Sequence, residues 1–175
     1  MVLNLIDINE EIRKNMKDEL EKDVEENNVY YSPRLLETST HQYLTLLIAS
    51  FETGNDSTLA NDIATNNCLK SHEERRTKSG IIQAKVSKNA HEMLAEGEFN
   101  RYYIRGLCLY AIKVNKKLKV YRAKAVVNPR IESESKIGSI CEPEALLKDL
   151  RLNPGVDTAL GIPSGPNSGL SVKLV

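Results

Sequence analysis

Apolar positions recur along most of this chain at three- and four-residue steps, the period of a helix with one buried face. In the stretch 89–115, Phe99, Tyr103, Leu107, Tyr110 and Val114 form one such stripe. Tyr102, Ile104, Cys108, Ala111 and Ile112 spread apolar character well beyond it. A helix that is apolar most of the way round belongs inside a domain. The pattern therefore predicts a central buried helix opened by Glu98, with Gly97 ending a shorter helix capped by Asn89. Asn4–Asn27 carries Leu5, Ile8, Ile12, Met16, Leu20 and Val24 as a narrow stripe among acids and lysines. That is an amphipathic helix, too short to be a coiled coil. Further helices are predicted over Leu35–Thr53, over Thr58–Asn66 after a cap at Asp56 or Ser57, and over Glu142–Leu150 with Pro143 in its first turn.

Two-residue alternation marks two strands. Gly80–Ser87 places Ile82, Ala84 and Val86 on one face, and Lys117–Val127 places Leu118, Val120, Arg122 and Lys124 on one face. With a long helix between them, these strands are expected to pair in parallel through a right-handed crossover. Residues 68–79, polar and basic, read as a loop or frayed helix. Residues 153–175 are rich in Gly, Pro and Ser and end in the alternating Leu170, Val172 and Leu174. Gly161, Gly165 and Gly169 are not followed by the Lys-Ser/Thr of a phosphate-binding loop, so this region reads as a structured arm. The expected class is α+β, with α/β as its variant: a mostly helical single domain with a small sheet. Residues 1–28 would form an acidic helix, 29–152 the core and 153–175 the arm. At 175 residues the chain can bury a sizeable core.

Charge changes this picture. The net charge of zero conceals segregation. Residues 1–69 hold 5 Lys and Arg against 13 Asp and Glu, a net of −8. Residues 70–130 hold 15 against 5, a net of +10, and the remainder 4 against 6. Such asymmetry points to a polyanion or an acidic partner, or to an acidic start that folds back on the basic middle. Cys68, Cys108 and Cys141 are three in number and lack a CxxC spacing, which argues for a reducing, cytoplasmic setting without disulfide framework or zinc site. No run is long and apolar enough to span a membrane, and the start lacks the pattern of a signal peptide. No cofactor is implied.

Three functional readings follow. The first is nucleic-acid or other polyanion binding through Arg75, Arg76, Lys78, Lys85, Lys117, Lys119 and Arg122, with Lys116 and Lys124 nearby and Tyr102, Tyr103 and Tyr121 available for stacking. Arg101 and Arg105 belong to the same set. With Glu98 they form a polar line on the central helix, either a solvated ladder or arginines turned toward an anion. If they are buried they need partners, and one carboxylate cannot serve both forks. A phosphate, a ligand carboxylate or an acid from the first helix must then complete the site. The second reading is a non-enzymatic assembly subunit, forming homo-oligomers by its acidic helix, basic middle and arm. The third is a nuclease of the restriction type, because Gln83-x-Lys85 on a strand loosely matches the E/QxK half of such sites. The acidic half is missing. His41, His72 and His91 show no chelating spacing, so no metal ligand is expected.

Overall fold

The computed structural model describes residues 2–155 and 168–175. Its elements run α1 (Glu10–Glu25), α2 (Thr40–Thr53), α3 (Asp56–Thr65), β1 (His72–Thr77), β2 (Gly80–Lys85), α4 (Ala90–Lys113), β3 (Leu118–Arg122), α5 (Ile131–Lys136), β4 (Ile140–Cys141), α6 (Pro143–Leu152) and β5 (Leu170–Leu174). This is an α+β domain organised around α4, which packs against α1, α3, α6 and β5. Phe99, Tyr103 and Leu107 are fully buried, as their stripe requires, whereas Tyr110 is half-buried and Val114 exposed. Phe51 of α2 meets Phe99 edge-on at 5.8 Å and Tyr102 at 5.2 Å between ring centroids, closing the core from the α2 side.

Local chemistry sets the helix ends. Asn9 accepts a hydrogen bond from the Ile12 N–H, so α1 starts at Glu10, and Leu5 and Ile8 lie in the segment before it. Asn55, not Asp56 or Ser57, caps α3, and Thr58 returns the bond in a capping box. Leu35 bridges Leu69, and the Leu36 N–H bonds to the Cys68 carbonyl. Those bonds hold 35–36 extended, so α2 begins at Thr40, after a tight turn at Glu37–Ser39. Gly97 does not divide α4: one glycine costs a helix about 1 kcal/mol, which the buried flanks outweigh. Gly106, one face over, is required, since a Cβ there would stand 2.8 Å from the Ile12 carbonyl oxygen and 3.1 Å from Met16. The backbone of α1 crosses α4 at that point.

The expected parallel pairing is not what forms. β2 pairs with β1 in an antiparallel hairpin, from Thr77↔Gly80 at the turn to His72↔Lys85 at the base. β3 is the centre of a separate antiparallel sheet ordered β4-β3-β5. A short loop closes at lower entropic cost than a crossover through a 24-residue helix, and residues 72–77 are near enough to claim β2 first. The loop expected at 68–79 is thus largely a strand. Gly80, at φ +130°, makes the turn possible. The end of the arm is ordered as β5, paired with β3 from Leu118↔Leu174 to Arg122↔Leu170. Gly161 and Gly165 lie outside the described residues.

Candidate nucleic-acid interface

The β1–β2 hairpin is a ribbon of two six-residue strands, roughly 20 Å long, whose residues are exposed except for half-buried Glu73, Thr77 and Ala84. Its base is held to the body. Arg34 donates to Glu73 at 2.6 and 3.1 Å, Lys70 Nζ to the Pro33 carbonyl at 2.9 Å, and the Lys70 N–H to the Arg34 carbonyl at 2.8 Å. Its tip is braced by the Thr77 hydroxyl, which donates to the Gly80 carbonyl at 2.9 Å. Register divides the side chains between two faces. Glu73, Arg75, Thr77, Ile82 and Ala84 share the face tied to the body, where Arg75 also reaches Glu73 at 3.1 Å. His72, Glu74, Arg76, Ile81, Gln83 and Lys85 share the other face.

Residues 70–88 carry six Lys and Arg against two Glu. Arg76 and Lys85 on the outer face, and Lys78 at the tip, are exposed and enter no ion pair among the described residues. Ile81 is 68% exposed between them, opposite Arg76.

The second group of predicted cations lies on the other sheet and is largely committed. Lys117 pairs with Glu142 at 2.5 Å, and Arg122 pairs with Glu134 while donating to the Ser168 carbonyl at 2.7 Å. Lys119 is half-buried on β3 beside Gly138. The structure therefore does not join these cations to the ribbon through a shared sheet.

Arg101 and Arg105 are buried, not a solvated ladder. Arg105 has no exposed surface; its Nε donates to Glu19 at 2.7 Å, and Nη1 and Nη2 donate to Asp23 at 2.5 and 2.9 Å. Asp23 also accepts from the Tyr102 hydroxyl at 2.8 Å, and Arg151 of α6 donates to Glu19 at 3.0 Å. Acids of the first helix therefore complete the Arg105 site, and the cluster clamps α1 and α6 to α4. Burial works against the charged form of Glu19, but the bond from Arg151 and the charge of Arg105 outweigh it and hold the carboxyl below its ordinary value. Arg101 is 5% exposed, and its Nη2 donates to Glu98 at 2.6 Å. Burial raises the Glu98 carboxyl, with Arg101 opposing the shift. Sequence spacing could not reveal Glu19 and Asp23 as partners. Their one signal is that they continue the Ile12–Met16 line of buried positions down α1.

Gln83 lies on the outer ribbon face, donating to Glu74 at 3.5 Å, with Lys85 two residues on. No group of three or more His, Cys, Asp or Glu able to hold a metal occurs among the described residues. No helix among them is long and apolar enough to cross a membrane. All three cysteines are free thiols. No protein-family model, curated protein or solved structure matches the chain.

Proposed function

We propose that the protein binds nucleic acid through the β1–β2 ribbon, laid against the duplex by its outer face. The observation that supports this reading is the set Arg76, Lys78 and Lys85, unpaired on a two-stranded ribbon that contributes little to the core. A two-stranded ribbon is narrow enough to enter the major groove, and unpaired Lys and Arg release counterions from phosphates at no cost in broken protein ion pairs. Arg76 also brings a bidentate fork. The base ties Arg34–Glu73 and Leu35–Leu69 would orient the ribbon on the body.

The test is fluorescence anisotropy on a labelled short duplex across a salt series. Arg76→Ala/Lys78→Ala/Lys85→Ala should weaken binding and flatten the log–log salt slope by about 3, near 0.9 per lost phosphate contact. Lys117→Ala should leave both nearly unchanged. Equal affinity and slope in the triple variant would refute the reading. Exposed Ile81 and Ile82 favour a second reading, ribbon-mediated assembly of copies. That association would strengthen or hold steady with salt, and would appear in sedimentation without nucleic acid.

A further inference from the structure

Away from the ribbon's outer face, a cavity of about 780 Å³ opens beside α4, within the range of small-molecule sites. Three acid–base pairs contribute to its wall: Arg34–Glu73, Lys124–Glu96 and Arg101–Glu98. Among its described residues the wall is thus charge-balanced, and much of the rest is apolar, with Met93, Leu94 and Ile104 from α4.

Three observations on this wall lack an explanation among the described residues. Arg101, nearly fully buried, has hydrogen-bond partners for neither Nε nor Nη1 among the described residues. Asn100, its neighbour, donates to the Leu170 carbonyl at 2.8 Å, but its buried Oδ1 accepts from nothing among the described residues. Buried polar atoms are rarely left so, and each orphan costs about 1–3 kcal/mol. The third observation is Gly97, mid-helix on the same wall. A Cβ built there meets nothing within 4 Å among the described residues, unlike Gly106, where packing dictates glycine. Among the described residues, the absent side chain leaves space open.

The orphans specify opposite ends of a ligand: donors for an anionic oxygen at Arg101, and an acceptor for an N–H at Asn100. Glu98 already neutralises Arg101, so a ligand with net charge would bring an uncompensated charge into a buried site. A dianionic phosphate fits worst. A group with both charges fits best. We propose that the cavity binds a free aliphatic α-amino acid, its carboxylate on Arg101, its ammonium on Asn100 Oδ1 and its side chain among Met93, Leu94 and Ile104. This site shares the Arg34–Glu73 tie at the ribbon's base but uses none of the outer-face cations, and it does not rest on nucleic-acid binding.

Titration calorimetry of the full chain with L-leucine tests it, alongside 4-methylpentanoate, which lacks the ammonium, 3-methylbutylamine, which lacks the carboxylate, and inorganic phosphate. Leucine should bind saturably, and each one-ended analogue at least roughly tenfold more weakly, the loss expected for a charge-assisted hydrogen bond. Gly97→Leu should fill the space and abolish binding while retaining the wild-type circular dichroism spectrum. Glu98→Gln/Arg101→Gln removes the pair without leaving a lone buried charge, and should also abolish binding. No saturable leucine binding below about 10 mM, well beyond the millimolar affinities of weak ligands, overturns the proposal. So does phosphate binding in its place, equal binding of an analogue, or binding retained by either folded variant.

Discussion

Replacing Arg105 by Met tests the clamp that joins the first helix to the central one. The substitution keeps an unbranched chain of similar reach in a site with no exposed surface, but removes three charge-assisted bonds, one to Glu19 and two to Asp23. The two acids are not left equal. Among the described residues, Glu19 retains Arg151, whereas Asp23 retains only the Tyr102 hydroxyl. The cost therefore concentrates on one buried carboxylate, and breaking a buried pair from one side costs about 3–5 kcal/mol. For a chain of this size that lowers the melting temperature by about 6–20 °C. Urea unfolding followed by circular dichroism measures the loss, and its pH dependence identifies the cause. Because Glu19 sits below its ordinary value near 4.5, the stability it contributes in the wild type is fully present above that value and is lost as pH falls through the lower, folded one. In Arg105→Met the Glu19 carboxyl loses the Arg105 charge that helps hold it down, so this pH-dependent contribution shrinks. The gap between the two proteins should narrow as pH falls from about 4.5 through the lower, folded value of Glu19. Adding Asp23→Asn to the variant should recover about 1–3 kcal/mol at neutral pH. A loss under about 1 kcal/mol, or one that is constant with pH, would refute the clamp.

The two glycines of α4 should respond oppositely to alanine. Gly106→Ala drives a Cβ to 2.8 Å from the Ile12 carbonyl and should cost about 1–3 kcal/mol in chemical denaturation. Gly97→Ala meets no described residue within 4 Å of its Cβ and should stabilise the helix by about 0.5–1 kcal/mol. Leu107→Ala, at a fully buried position, should cost about 2–5 kcal/mol, and a loss below about 1 kcal/mol would remove α4 from the centre of the core.

The helical half of the fold was legible because it is written in local periodicity. Phe99, Tyr103 and Leu107 mark the buried face of α4, and Ile12, Met16 and Leu20 that of α1. Where periodicity stops, so does legibility. His72–Thr77 contains no apolar residue, so nothing local distinguishes this strand from a loop; its state comes from the turn at Gly80 and from β2. Val24 continues the apolar stripe of α1 yet is 46% exposed, while Asp23 beside it is buried. The buried face turns toward an arginine 82 residues away, and a charge pairing over that separation leaves no trace in spacing. The need for a partner at Arg105 could be argued from the sequence, but the partner's identity could not. Arg101 shows the reverse case: burial was arguable, and the unspent donors appear only in three dimensions.

The position of β3 between β4 and β5 also bears on synthesis. Translation reaches Leu174 52 residues after Arg122, a delay of roughly 3–10 s at ordinary elongation rates. During that interval α1, α3 and α4 are all available to pack, but β3 has at most the two-residue ladder of β4. The side of β3 reserved for β5 stays open, with the N–H groups of Ala123 and Lys124 awaiting the Gly169 carbonyl. The newborn chain thus carries a temporary adhesive edge, which closes when β5 arrives.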